Sequence, residues 1–181
     1  MTTAAVEALF STARLDAEFL TPETAPRAGA VLMAAPGFCQ GEWEAAPDPE
    51  LAGEVLAGLM TGPLPPGVMR GQVFPLGLTL KGKPGFIGLA HLIVGFPRES
   101  AATLGLLVFA ESNQRKGFGR EFITGVYDWA RPQGIDFLRV RLHPRHDGAK
   151  AFLDKLGFVD LPESISSGHV MWERKLPATE D

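Results

Sequence analysis

The residues best able to do chemistry lie in one short stretch, Gln114-Arg115-Lys116-Gly117-Phe118-Gly119-Arg120. Glycines at 117 and 119 let a backbone approach a ligand with no Cβ in the way. If a helix starts there, its first amides point outward with unsatisfied donors, and its dipole favours an anion. Arg115, Lys116 and Arg120 add positive charge, so the stretch describes a diphosphate site. Two glycines also make an ordinary tight turn with close helix packing, and that reading stands beside the ligand one. The common nucleotide loops fit less well. There is no Gly-Lys-Ser/Thr, and the dinucleotide fingerprint wants three glycines and an acidic residue about 20 positions on.

Such a loop needs a strand before it and a helix after it, and the pattern supplies both. Ala102 to Phe109 is an apolar run, and after Gly117 the residues Phe118, Phe122 and Val126 recur at helical spacing. Pro132-Gln133-Gly134 ends that helix, and Phe137 to Leu142 reads as the next strand. Strand, loop, helix, strand is a βαβ unit, so its two strands should be parallel with a right-handed crossover. A short helix from His146 to Leu156 follows, closed by Gly157, and Val170 to Leu176 makes a last strand. Upstream, Val73 to Leu80 and Phe86 to Phe96 flank the turn residues 81–85 as a hairpin. The first 70 residues carry two helical patterns, Glu23 to Ala35 and Asp48 to Met60. The stretch 37–44 between them reads as a loop.

Bulk properties exclude several classes. The 181 residues make one domain, 45% hydrophobic, 21% charged, with net charge −4. No basic tract exists to neutralise a nucleic-acid backbone. The single cysteine, Cys39, permits no internal disulfide and no cysteine-based zinc cluster, and no metal site is expected. No apolar run approaches bilayer length and the first residues lack a signal-peptide order, so a cytoplasmic protein with no membrane partner is expected.

Two stretches together resemble the GNAT superfamily of acetyl-CoA-dependent N-acetyltransferases. Gln114 to Gly119 matches the family's Gln/Arg-x-x-Gly-x-Gly/Ala signature, with Leu106-Leu107-Val108-Phe109 before it at the family's distance. Ala149-Lys150-Ala151-Phe152-Leu153-Asp154-Lys155-Leu156-Gly157-Phe158 resembles the second signature. The resemblance covers roughly residues 70–176. It implies an α/β fold of α+β type: a mixed, mostly antiparallel sheet with two splayed parallel strands, 102–109 and 136–142, flanked by helices. The cofactor-binding core would be 71–176, with 1–70 as variable substrate-side helices. The donor would be acetyl-CoA, and the acceptor a small-molecule or protein amine attacked directly, without a covalent enzyme intermediate. A homodimer is compatible with the resemblance. A weakly active acyl-CoA sensor is the alternative.

Residue by residue, the resemblance places pantetheine along Leu107, Val108 and Phe109. It places the pyrophosphate on Gln114, Arg115, Lys116, Gly117, Phe118 and Gly119 with Arg120 close by, and it adds His146 and Phe152 as cofactor contacts. Leu153 stands where the family often has a proton-donating tyrosine, and His146 where it often has asparagine.

Deprotonation of the amine needs a base. His143, just past the strand end, is the first candidate, set against a plain surface histidine in His143-Pro144-Arg145-His146. Glu111 is the second, set against a turn-positioning role. His91 reads as a core histidine and Glu99 as a solvated turn residue. Tyr127 reads as core, and Cys39 has no basic partner adjacent in sequence. Glu42 and Glu44 around Trp43 read as an exposed acidic loop, and His169 carries no argument of its own.

Overall fold

Where the apolar residues switch from period 2 to period 3.6, the chain switches from strand to helix. The computed structural model describes residues 7–166 and 168–178. In order the elements are β1 (Ala8–Ser11), β2 (Leu15–Phe19), α1 (Ala25–Met33), α2 (Pro36–Trp43), α3 (Pro49–Thr61), β3 (Val73–Leu80), β4 (Phe86–Val94), β5 (Ala101–Phe109), α4 (Phe118–Ala130), β6 (Phe137–Leu142), α5 (Asp147–Lys155), β7 (Val159–Ser166) and β8 (His169–Lys175). The strands form one sheet in the order β1-β2-β3-β4-β5-β6-β8-β7. Every neighbouring pair is antiparallel except β5 and β6, which are parallel as the βαβ pattern requires. Among the described residues no helix is long and apolar enough to cross a membrane.

Helices cover both faces of the sheet. On one face α4 and α5 bury Phe118, Phe122, Val126 and Leu153 against Leu76, Leu92, Leu104 and Val140. On the other, α1, α2 and α3 bury Val31, Leu32, Cys39 and Leu56 against Leu89, Leu106 and Val108. Along β5 the even residues Ala102 and Leu104 point to the first face, yet Leu106 and Val108 point to the second. The cause is a bulge: Leu104 pairs with Leu92, Leu106 pairs with His91, and Gly105 is the extra residue. An extra residue inverts the alternation and bends the strand.

Pairing of β5 with β6 stops at the same place. Its last pair is Leu104 with Val140. Beyond it, residues 105–109 keep β4 on one edge and leave the other edge open. The expected splay therefore begins at the bulge.

Two local readings need correction. Residues 37–44 are not a loop, because α2 occupies Pro36–Trp43. Gly37, Gly41 and a leading proline gave it no helical periodicity. Residues 1–70 also hold the β1–β2 hairpin, which extends the sheet beyond β3. β7 carries Pro162 and polar residues, tolerable because it is an edge strand paired with β8 alone. By contrast α3 falls on the expected helical pattern, and the structure shows its cap: Asp48 accepts from the Leu51 amide at 2.8 Å.

Candidate functional site

The gap between β5 and β6 opens into a cavity of about 730 Å³. Its walls come from both faces of the sheet, Phe118 and Phe152 on the α4–α5 side, Phe38 and Glu42 on the α2 side. A passage through the sheet results. Leu107, Val108 and Phe109 line it along the open edge of β5, and His143 and His146 line it past the end of β6.

At one end of the cavity sits the glycine loop. Gln114 turns back and donates from Nε2 to the Phe109 carbonyl at 2.9 Å, closing the loop on its strand. Gly117 has φ +82, the left-handed conformation that side chains resist, and it N-caps α4. The first helical bond runs from the Glu121 amide to the Gly117 carbonyl at 3.1 Å. The amides of Phe118, Gly119 and Arg120 therefore precede the helix's own ladder, an arrangement that suits an anion. Gly119 is a close-approach position: a Cβ there would lie 3.3 Å from the Phe152 ring. Gln114, Arg115, Gly117, Phe118, Gly119 and Arg120 all line the cavity, whereas Lys116 does not. Instead the Lys116 carbonyl accepts from Arg14 at 3.1 Å, while Arg14 also pairs with Glu121 at 2.6 Å and lies over the Phe118 ring. The β1–β2 hairpin thus clamps the loop from behind, a role the sequence did not suggest for Arg14.

Of the two expected bases, the structure brings only His143 to the cavity. Glu111 lies outside it. The Glu111 carboxylate accepts from the Gly37 amide at 3.1 Å and its amide donates to the Ala34 carbonyl at 2.8 Å, so it ties the loop to the start of α2. Glu42 overturns its reading as part of an exposed acidic loop. Its side chain is only 7% exposed and meets His169 Nε2 at 2.6 Å, His146 Nε2 at 3.3 Å and Arg141 at 3.5 Å. Glu44, by contrast, is exposed and pairs with Arg145. Burial alone would raise the Glu42 carboxyl, but the hydrogen bonds from both imidazoles and the charges of His169 and Arg141 outweigh it and hold it at about 2. Burial, with the charges of Arg145, His169 and His146, lowers the His143 imidazole against the pull of Glu42. Among the described residues no group of three or more His, Cys, Asp or Glu is arranged to hold a metal.

The two largest downward shifts, at His91 and Glu42, bear on acid stability. His91, facing α3, is pushed from 6.5 to about 4, first by burial and then by Arg141 and Arg70, against a hydrogen bond with the Leu59 backbone. The unfolded chain therefore binds the extra proton between pH 6.5 and 4, and stability falls as pH falls across that window. Glu42, lowered from 4.5 to about 2, acts the same way between pH 4.5 and 2. Each full shift corresponds to about 3 kcal/mol. Urea midpoints measured across pH should fall in these two steps, with His91→Gln flattening the upper and Glu42→Gln the lower. An unchanged upper step in His91→Gln would refute the assignment.

A family model described as an acetyltransferase (GNAT) domain matches residues 43–159. The chain belongs to the GNAT acetyltransferase family. It is accordingly an acyltransferase. Solved structures share the fold. An acetyltransferase from Thermus thermophilus has TM-score 0.70 and 23% identity, covering 94% of this chain and 100% of that one. The PaiA N-acetyltransferase of Thermoplasma acidophilum, solved with coenzyme A, has TM-score 0.65 and 14% identity, covering 89% and 98%. An N-acetyltransferase of a ribosomal-protein alanine from Escherichia coli has TM-score 0.61 and 18% identity, covering 92% and 97%. No curated protein matches this chain by sequence.

Glu42, His169, Phe38 and Arg14 all lie outside the matched range, and their contacts at the site were not legible in the sequence. Each acts through partners distant in sequence, Glu42 reaching His146 and His169 across 104 and 127 residues.

Proposed function

We propose that this acetyltransferase moves the acetyl group of acetyl-CoA directly onto an amine, with the N-terminal amine of a protein as the first acceptor class to test and small amines as the second. The observation that carries the reading is the open edge of β5 beyond Gly105, facing a cavity that runs from the glycine loop through the sheet to α2. The residues present fit the donor. Gly117 allows the left-handed turn that starts α4, Gly119 leaves room where a Cβ would press on Phe152, and the amides of residues 118–120 with Arg115 and Arg120 suit a pyrophosphate. Leu107 to Phe109 offer backbone groups to the pantetheine arm. Acetyl-CoA supplies an acyl thioester whose thiol has an ordinary pKa of about 8.5, so it departs without a strong acid. Leu153, 2% exposed in the core, supplies none.

The acceptor class has a separate support. The Escherichia coli neighbour acts on a ribosomal-protein alanine, and RimL, TM-score 0.65, is a ribosomal alpha-N-protein acetyltransferase solved with coenzyme A. The mouth on the α2 side gives an extended N-terminus a way to the gap. A cytoplasmic setting belongs to the same proposal.

Release of free thiol from acetyl-CoA, measured against a panel of protein N-terminal peptides and small amines, tests the reading. Turnover on at least one amine is expected. Tight acetyl-CoA binding with no turnover on any of them would instead favour the sensor reading, which the buried Leu153 motivates.

A further inference from the structure

Three of the chain's four histidines converge on Glu42 from three different elements. His146 N-caps α5, His169 opens β8, and His143 follows β6, its ring edge-on to that of His169 at 5.1 Å. Arg141 is the remaining charged group facing Glu42. An ionised carboxylate only accepts hydrogen bonds, so both imidazoles must present an N–H to it. For His146 this places the proton on Nε2 and the lone pair on Nδ1, which has no hydrogen-bond partner among the described residues. His143 is set the opposite way. Its Nδ1 accepts from the Arg145 amide at 3.2 Å, so the neutral ring carries its proton on Nε2 and has no lone pair to offer an amine.

Position favours His146 as well. It belongs to α5 on one side of the sheet and stacks on Phe38 of α2 on the other, centroids 5.2 Å apart and planes within 10°. The ring therefore spans the gap through which the cavity crosses the sheet. Position 41 has to be small for it to fit: a Cβ on Gly41 would lie 2.5 Å from His146 Cε1.

We propose that His146 takes the proton of the acceptor amine on Nδ1 and that Glu42 is the positioning residue that fixes its tautomer; this rests on the acetyl-transfer reading above. The ammonium N–H bond breaks as the bond to His146 Nδ1 forms, and the imidazolium keeps its Nε2–H on Glu42. The freed amine nitrogen bonds the acyl carbon while the C–S bond breaks with its electron pair on sulfur. The surplus proton on nitrogen goes to that thiolate, and His146 returns its own to water.

Two readouts test the inference. Nitrogen-15 NMR of the histidines reads the tautomer without turnover: His146 is expected as the Nε2–H form in the wild type and as a mixture in Glu42→Gln. In kinetics, His146→Gln should lower kcat about 100-fold or more and remove the acidic limb of the pH profile. Its melting temperature should stay near the wild-type value, which shows that the variant is folded. Glu42→Gln should lose less, and Glu42→Asp should recover part of that loss. An active wild type whose His146→Gln variant keeps full kcat, or an Nδ1–H tautomer at His146, would overturn the inference alone. A wild type that turns over no amine would overturn the acetyl-transfer reading, and this with it.

Discussion

Gly117→Val is expected to weaken acetyl-CoA binding by about 100-fold or more while the chain stays folded, the loss of roughly two charge-assisted hydrogen bonds. Gly117 holds φ +82, and a β-branched side chain there is a steric outlier. Valine would drive position 117 out of the left-handed region, at a cost of about 1–2 kcal/mol if it stayed. Either way the amides of Phe118, Gly119 and Arg120 would be re-aimed, and those are the donors the pyrophosphate needs. A Cβ would also lie 3.4 Å from Arg14 Nη2, pressing on the clamp behind the loop. Titration calorimetry reads the effect, with thermal melting as the folding control. Affinity within about threefold of wild type would remove the loop from the donor site.

Phe158→Ala should be the most destabilising single core truncation beside the site. Phe158 is 1% exposed, and its amide donates to the Leu153 carbonyl at 3.0 Å while the Gly157 amide donates to Asp154 at 3.0 Å. Those two bonds close α5 in a Schellman motif with Gly157 in the left-handed conformation. Truncating a buried phenylalanine costs about 3–5 kcal/mol. For a domain of this size that lowers the melting temperature by roughly 10 °C. Because α5 carries His146 and Phe152 to the cavity, acetyl-CoA affinity should fall too. A melting temperature within about 2 °C of wild type would mean that the ring is not packed as described.

What the sequence revealed follows from how local each signal is. The unit from β5 through the glycine loop and α4 to β6 was legible because its apolar periods, its turn glycines and its family signatures all sit within about 40 contiguous residues. The splay was expected from resemblance, but the bulge at Gly105 where it begins shows only when β5 is laid in register against β4. α2 was missed because its helix is stabilised from outside: the Glu111 carboxylate caps Gly37, and Phe38 stacks on His146 at 5.2 Å. The same distance effect misplaced two carboxylates. Glu111 is adjacent in sequence to the loop yet lies outside the cavity, and Glu42, read as solvated, is buried under two imidazoles. β2 did alternate, with Leu15 and Ala17 buried and Asp16 and Glu18 less so, but five residues of alternation carry little weight alone.

The central claim is that acetyl-CoA lies through the gap between β5 and β6 with its pyrophosphate on the glycine loop. A crystal structure with coenzyme A tests it most directly. The account predicts pyrophosphate oxygens within hydrogen-bonding distance of the amides of residues 118–120, and the sulfur end in the gap beside Gly105 to Val108, facing His146. Coenzyme A bound elsewhere, with the gap between β5 and β6 closed or filled by side chains, would contradict it.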